Sequence, residues 1–285
     1  MKRTLAALLL ISAACAAGGA GRPVAPKSAE GLLAGATRVW SQDFESFAVG
    51  ASPYPANCGT NDCFGVSDWR SLSGRRALLV EPGPGPAQPT GWSWSVSDFG
   101  DAFLAVPRGH LVVRFAYFCD TPLSTATACG FSIGFADEPD SAIRIALGGE
   151  SSLRCVSKTK SGGVVPKDKM DKLLPVGFGF PTQKAYHWYR YTVKIPVGKT
   201  PDGNVSATME ELGSNGKWKF LSGGCLPEPD YYTQAANARL ALSGPAGGRG
   251  ASYRAFIDDL EVYVAKGEES SLLVPRDYDA ISLDE

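Results

Sequence analysis

The sequence predicts an all-β domain, either a sandwich or a barrel, on three observations. The chain of 285 residues holds 33 glycines and 20 prolines, more than helical folds use. Between residues 38 and 264, short β-branched and aromatic runs are separated by clusters of Gly, Pro, Asp and Ser, which is the spacing of all-β domains. No stretch shows the periodicity of an amphipathic helix, so we expect strands throughout.

The individual strands follow from these runs and from the turn residues between them. We expect twelve strands, over residues 38–44, 75–81, 92–97, 109–119, 129–136, 141–148, 152–157, 185–195, 204–211, 217–221, 238–243 and 252–264. Four of them alternate so regularly that one face must be buried, and the opposite face carries an arginine in each. These arginines are Arg114, Arg144, Arg190 and Arg239.

Composition and charge exclude several classes of protein. Hydrophobic residues make up 44% of the chain and charged residues 20%, which is typical of a folded globular domain. A formal net charge of −1 argues against a nucleic-acid or membrane-surface binder, since those need an excess of Lys and Arg. Residues 266–285 are acidic and poor in apolar groups, which predicts a disordered tail.

The first 20 residues indicate export. Lys2 and Arg3 precede an apolar run and then small residues, which is the pattern of a secretory signal, and the run is too short to span a bilayer. Cys15 and the three residues before it resemble a bacterial lipobox, while cleavage at an Ala-x-Ala site is the alternative. We therefore expect a secreted, periplasmic or lipid-anchored monomer, with a flexible leader over 21–37 and one domain over 38–265.

Six cysteines remain once Cys15 is set aside, an even number in a chain sent to an oxidising compartment. Such a set predicts disulfides, although the sequence leaves their connectivity open. Zinc is disfavoured because no two cysteines have the C-x-x-C spacing. Local closure favours the pairing of Cys58 with Cys63 and of Cys119 with Cys129, which leaves Cys155 and Cys225 to each other.

The last predicted strand changes its inward face partway along. Apolar residues occupy odd positions before Asp258 and even positions after Asp259. A β-bulge produces such a change and re-aims the side chains at that point. Two acidic residues there need partners if they are buried, and a hard cation such as calcium would supply one.

The two ends of the predicted domain resemble those of a known superfamily. Asp43-Phe44-Glu45 on the first strand and Phe256-Ile257-Asp258-Asp259-Leu260 on the last are similar to the paired ends of concanavalin A-like jelly-roll modules of the laminin-G-like, MAM-like and carbohydrate-binding types. Trp188-Tyr189-Arg190-Tyr191 resembles the tryptophan-led central strand of the laminin-G-like members. The resemblance implies a jelly-roll β-sandwich of two antiparallel sheets, with the first and last strands side by side.

The same resemblance implies a structural calcium ion. Its ligands would be Glu45 and Asp258, with Asp43 and Asp259 as lesser candidates. The alternative is that backbone N–H groups and Arg254 satisfy these carboxylates without a metal.

Aromatic side chains predict a sugar site, because a flat ring stacks on the apolar face of a pyranose. Trp188 shares its strand face with Arg190 and not with the apolar stripe, so we expect it to point outward. If the arginines lie on neighbouring strands of one concave sheet, they would bind acidic glycans through their guanidinium groups; a solvated arginine face is the alternative. The predicted carbohydrate-binding residues are Trp188, Arg190, Tyr186, Arg114 and Arg144. Further candidates, for which a core or loop role is the alternative, are Trp92, Trp94, Tyr231 and Tyr232.

Signals for catalysis are sparse. The E-x-D-x-x-E strand of jelly-roll glucanases and the Gly-x-Ser-x-Gly motif are absent from the sequence, and the alternation places His187 on the buried side of its strand. The leading hypothesis is an exported, non-catalytic module that binds extracellular glycan. A polysaccharide lyase or glycoside hydrolase of the jelly-roll type, and a surface adhesion or structural protein without a sugar site, are the alternatives.

Overall fold

The computed structural model describes thirteen segments of the chain: residues 25–51, 64–80, 91–94, 109–120, 127–135, 138–148, 152–156, 159–160, 163–164, 177–197, 205–225, 238–243 and 254–266. In the strands between 127 and 178, and at 91–94 and 238–243, the backbone alone is described. The predicted export signal and the acidic tail beyond residue 266 lie outside the described residues. So do Cys15, Cys58, Cys63, Tyr231 and Tyr232.

The described segments contain one short helix and sixteen strands. They are α1 Ala29–Leu33, β1 Thr37–Gln42, β2 Phe64–Ser67, β3 Ala77–Val80, β4 Gly91–Trp94, β5 Gly109–Cys119, β6 Thr127–Phe135, β7 Glu138–Gly148, β8 Ser152–Val156, β9 Thr159–Lys160, β10 Gly163–Val164, β11 Gly177–Gly179, β12 Trp188–Val197, β13 Ser206–Leu212, β14 Trp218–Cys225, β15 Ala238–Ser243 and β16 Ala255–Lys266. Within these segments no helix has the length and apolar character needed to cross a bilayer.

The strands form two main antiparallel sheets. The larger sheet has eight strands in the order β14-β13-β12-β5-β16-β3-β2, with β1 paired to the second half of β16. The smaller sheet has six, in the order β11-β8-β7-β6-β15-β4, and β9 and β10 form a separate ribbon. The first and last strands therefore lie side by side, as predicted.

The buried face predicted from alternation is confirmed in the larger sheet, although Val112, Ala116 and Thr192 on the opposite face are buried as well. One face of β5, β12 and β16 is buried, and its members are Leu111, Val113, Phe115, Tyr117, Tyr189, Tyr191, Val193, Ile195, Leu260 and Val262. The rings of Phe115 and Tyr191 stack there with centroids 5.5 Å apart. We call this side of the sheet the core face, and the opposite side, which carries Trp188, Arg190 and Arg114, the outer face.

The predicted β-bulge in the last strand is also confirmed. The register between β16 and β5 shifts between Asp258 and Glu261, and Asp259 has a φ of 47°, in the left-handed region that non-glycine residues rarely adopt. The bulge moves the core face from Ile257 to Leu260, and the change aims the Asp258 carboxylate at the loop of residues 68–76.

The leader prediction is wrong for residues 25–36, which pack on the outer face. Ser28 caps α1 by accepting a hydrogen bond from the backbone N–H of Gly31, and Ala29 and Leu32 are buried. A Cβ atom on Gly223 of β14 would lie 2.2 Å from the carbonyl oxygen of Pro26, so this glycine permits the close approach. A five-residue helix is too short to show a periodic signal in the sequence.

Strand positions agree well with the expected ones. β5 and β15 coincide with the predicted ranges 109–119 and 238–243. The pattern does not predict β2, β9, β10 or β11, which are two to four residues long, because such short segments show too little alternation.

Candidate functional site

The three arginines predicted to form one basic surface do not lie in one sheet. Arg114 on β5 and Arg190 on β12 belong to adjacent strands of the larger sheet, whereas Arg144 on β7 belongs to the smaller sheet. The expectation of neighbouring strands is therefore wrong for Arg144, because β7 pairs with β6 and β8.

Arg190 is held by groups of the protein itself. Its Nε atom lies 2.7 Å from Oε2 of Glu210 on β13, and its guanidinium stacks over the ring of Trp218 at 4.6 Å. The side chain of Glu210 is only 6% exposed, so Arg190 supplies the countercharge of a buried carboxylate.

Arg114 is engaged in the same way. Its Nη2 atom lies 2.6 Å from Oε2 of Glu261 and donates to the hydroxyl of Tyr263 at 2.7 Å, while Arg38 contacts the other oxygen of Glu261 at 2.8 Å. Burial opposes the ionisation of Glu261, but the hydrogen bonds and charges of Arg38 and Arg114 outweigh it and lower the pKa of Glu261. This network ties β1, β5 and β16 together.

The predicted calcium ligand Asp258 is fully buried and binds the loop of residues 68–76. Its Oδ2 atom accepts hydrogen bonds from the backbone N–H groups of Leu72 at 2.7 Å and Ser73 at 3.1 Å. Its Oδ1 atom accepts the N–H of Asp259, whose own carboxylate accepts the hydroxyl of Ser73 at 2.6 Å. Burial raises the pKa of Asp258 to about 7, against the opposing effect of the N–H groups, which favour the ionised form.

Glu45 holds the end of the same loop. Its Oε1 atom accepts the backbone N–H groups of Arg75 at 2.7 Å and Arg76 at 2.6 Å, and these hydrogen bonds lower the pKa of Glu45. Asp43 accepts the backbone N–H of Glu45. We call Asp43, Glu45, Asp258 and Asp259 the carboxylate clamp.

The clamp oxygens of Asp258 and Glu45 that face the loop already have hydrogen-bond donors within the protein. In the part of the chain that the structure describes, no three Asp, Glu, His or Cys side chains gather as a metal site. The geometry therefore supports backbone hydrogen bonding at these two residues, and calcium at this position stays a prediction. Arg254, the other alternative partner, lies over the ring of Trp69.

Gly74 gives a test of the clamp. It has a φ of 59°, and a Cβ atom there would lie 2.4 Å from Oε1 of Glu45. We expect Gly74→Ala to lower the free energy of unfolding by about 2 kcal/mol, from backbone strain plus displacement of the Glu45 carboxylate. Gly216→Ala is the matched control, because Gly216 has a φ of 71° and open space around it. Equal losses in urea unfolding would mean that the carboxylate contact contributes nothing.

A patch of aromatic and arginine side chains lies next to the clamp, where β5 ends and where β12 and β16 begin. The loop of residues 68–76 brings two further members to it. We call this patch the aromatic corner, and its residues are Trp69, Arg70, Phe118, Tyr186, Trp188 and Arg254.

Trp188 lies on the outer face and is half-buried. Its ring is 5.2 Å from that of Phe118, which packs with Ala77 and Phe256 in a small apolar cluster on this face. The guanidinium of Arg70 also lies over Phe118, 5.4 Å from the ring centroid. Trp188 is therefore partly committed to packing, and it forms the floor of the corner.

Two aromatic side chains of the corner are more exposed to solvent than Trp188. Trp69 is 60% exposed, and the Arg254 guanidinium lies 4.6 Å from its ring centroid. Tyr186 is 56% exposed with a φ of 66°, and its backbone N–H donates to the carbonyl of Cys119 at 2.8 Å. A tyrosine with a left-handed backbone conformation is strained, and such strain is common at binding sites.

His187 is not buried, contrary to the expectation from alternation. Its side chain is 42% exposed, and its Nδ1 atom lies 2.9 Å from Oε1 of Glu211. His187 precedes the first residue of β12, so the strand alternation does not apply to it. Tyr189 beside it is buried, its hydroxyl accepts the N–H of Lys184, and burial raises the pKa of Tyr189 to about 12.

Several sequence predictions concern side chains that are not described. These belong to Trp92, Trp94, Cys129, Arg144 and Cys155. Cys119 and Cys225 are buried, and the disulfide pairing stays a prediction.

Sequence reasoning missed Trp69, Arg70 and Arg254 as site residues. A signal for the first two exists, because Trp69 and Arg70 stand in the polar stretch between Ser67 and Gly74, where a large aromatic residue has no strand to bury it. Their proximity to Trp188 depends on the pairing of strands that are far apart in the chain.

Comparisons with known proteins identify the fold. No family model matches the chain, and no curated protein matches its sequence. Among solved structures, an endo-β-1,4-glucuronan lyase from the fungus Trichoderma reesei has a TM-score of 0.50 at 11% identity, over 81% of this chain and 96% of that one. The PL-14 alginate lyase from Aplysia kurodai has a TM-score of 0.49 at 10% identity, over 79% and 98%.

The likeness to the glucuronan lyase and the sheet order confirm the predicted fold. It is a jelly-roll β-sandwich of two antiparallel sheets. This fold hosts several activities, so the function has to be argued from the site.

Proposed function

We propose that this protein is an exported, non-catalytic carbohydrate-binding module that holds extracellular glycan at the aromatic corner. The observation that carries the proposal is the exposure of Trp69 and Tyr186 beside the half-buried Trp188. The predicted signal and disulfides would suit such a module to an oxidising compartment.

The physical argument rests on the indole of Trp69. An exposed indole forgoes roughly 2 kcal/mol of possible burial, so a large ring held in water indicates a ligand or partner. Trp69 is also fixed in place, because its backbone N–H donates to the hydroxyl of Ser67 and the clamp holds the rest of its loop. A fixed ring loses little entropy when a pyranose stacks on it.

The fold gives further support to a carbohydrate ligand. An endo-β-1,4-glucuronan lyase shares it, which makes a polysaccharide ligand compatible with the architecture. In our proposal Trp188 and Tyr186 keep the binding role predicted from the sequence, while Arg114 and Arg190 serve the protein's own carboxylates.

Binding suits the site better than catalysis. The exposed His187 is oriented by Glu211, as a general base would be. The neighbouring Tyr189 hydroxyl is buried and engaged by Lys184 and Glu211, so it cannot reach a substrate as the proton donor. A lyase or hydrolase therefore remains the second hypothesis, with release of new reducing or unsaturated sugar ends as its assay.

Trp69→Ala tests the proposal. We expect at least tenfold weaker binding to the glycan that the wild type recognises on a glycan array, because the stacking platform is lost, which corresponds to about 1.4 kcal/mol. Titration calorimetry measures the change, and thermal melting should barely move because the ring is exposed.

The matched control is Phe220→Ala, which removes an exposed ring from β14, away from the corner. Its affinity should equal that of the wild type. Unchanged affinity in Trp69→Ala, or no glycan bound by the wild type, would overturn the proposed function.

A further inference from the structure

Four arginines of the described chain lie over aromatic rings, and one of them differs from the rest. Arg114 covers Tyr263, Arg190 covers Trp218, Arg254 covers Trp69 and Arg70 covers Phe118. The first three also have a carboxylate within ion-pair distance, namely Glu261 at 2.6 Å, Glu210 at 2.7 Å and Asp120 at 3.8 Å. Arg70 has no acidic partner within that distance in the described residues.

A guanidinium that lies over an aromatic ring can still donate hydrogen bonds from the N–H groups at its edge. Those groups form a fork that matches the two oxygens of a carboxylate or a sulfate. In Arg114 and Arg190 a glutamate of the protein occupies the fork. In Arg70 the fork is exposed to solvent, and the contact with Phe118 already restricts the side chain, which lowers the entropic cost of binding an anion.

The position of Arg70 connects this fork to the proposed sugar platform. Arg70 follows Trp69 directly in the chain, and its ring contact is Phe118, the residue on which Trp188 packs. Hydrogen bonds from Leu72 and Ser73 to Asp258 fix the loop just beyond it. A sugar stacked on Trp69 would therefore bring its substituents within reach of a positioned guanidinium.

We propose that the aromatic corner recognises an acidic glycan, with Arg70 binding a sugar carboxylate or sulfate while Trp69 stacks on the ring. This inference rests on the proposed function and adds the substrate class. It also moves the acidic-glycan prediction from Arg114 and Arg190, which pair with glutamates, to a residue whose charge the described protein does not neutralise.

The test uses the full-length protein and Arg70→Gln, with Arg75→Gln as the matched control. Arg75 is an exposed arginine on the same loop, and its backbone N–H contact with Glu45 survives the substitution. A glycan array with carboxylated, sulfated and neutral oligosaccharides identifies the preferred ligand. Titration calorimetry then compares the best acidic ligand with its carboxyl-reduced or desulfated form.

We expect the wild type and Arg75→Gln to prefer the acidic form by tenfold or more, and Arg70→Gln to bind the two forms about equally. Added salt should weaken the preference of the wild type. Binding to neutral glycans only, or an unchanged preference in Arg70→Gln, overturns the inference while the proposed function stands. Absence of binding to every glycan removes the proposed function itself.

Discussion

Asp258→Ala should lower the free energy of unfolding by about 3 kcal/mol, because it leaves the backbone N–H groups of Leu72, Ser73 and Asp259 without their acceptor. The carboxylate is fully buried, so the substitution also leaves a small cavity. Urea unfolding monitored by tryptophan fluorescence measures the loss.

Two control variants distinguish the loss of the hydrogen bonds to Asp258 from the loss of a negative charge alone. Asp258→Asn should lose less, since its amide oxygen can still accept the N–H groups of Leu72 and Ser73. Asp120→Ala, which removes a longer ion pair with Arg254 at 3.8 Å, should cost less than about 1 kcal/mol. An Asp258→Ala protein as stable as the wild type would show that the loop does not need the clamp.

The same variant links stability to binding. Trp69 and Arg70 lie in the loop that Asp258 holds, so folded Asp258→Ala protein should also bind glycan more weakly. Exhaustive chelation of the wild type completes the comparison, because a calcium ion bound only by the folded state must raise the melting temperature. A fall in melting temperature on chelation would support the calcium predicted from the sequence.

Arg190→Ala should destabilise the protein by about 3 to 5 kcal/mol, because it strips a buried glutamate of its countercharge. The side chain of Glu210 is 6% exposed and that of Arg190 is 16% exposed, with 2.7 Å between their charged atoms. The loss of the stack on Trp218 adds to the effect. The carbohydrate-binding role that the sequence predicts for Arg190 would instead imply a change in sugar affinity with little change in melting.

The double variant Arg190→Met with Glu210→Leu tests the cause. Replacing both charges with apolar groups of similar size should recover most of the stability, since no uncompensated charge stays buried. If Arg190→Ala instead melts like the wild type and binds glycan less tightly, Arg190 is a ligand-binding residue, as the sequence predicts.

The sequence predicts those features of the candidate site that depend on residues close together in the chain. It does not predict contacts between residues that are far apart in the chain. Alternation places Trp188 and Arg190 on the outer face, and the structure agrees. Alternation cannot show that Arg190 meets Glu210, 20 residues further along, or that Arg114 meets Glu261, 147 residues away. For that reason the sequence predicts that these arginines bind a ligand, whereas in the folded protein Glu210 and Glu261 already pair with them.

Trp69 shows the opposite error. Its loop shows no alternation, and the residues near it in space are distant in the chain: Arg254, just before β16, lies over the Trp69 ring, and Arg70 beside it lies over Phe118 of β5. Asp258 lies 186 residues from the Leu72 amide that it accepts, so the sequence showed an acidic pair in need of partners without showing that a loop provides them.

By itself the sequence determined the all-β class, the buried face of the central strands and the bulge at Asp258 and Asp259. These features depend on the two-residue period of a strand and on local sterics, both of which the local sequence determines. Only the tertiary structure decided which charges are neutralised and which aromatic rings stay in water. Burial and ion pairing act between side chains from different strands and loops. The strand order determines which of these side chains come into contact, and no local sequence pattern specifies that order.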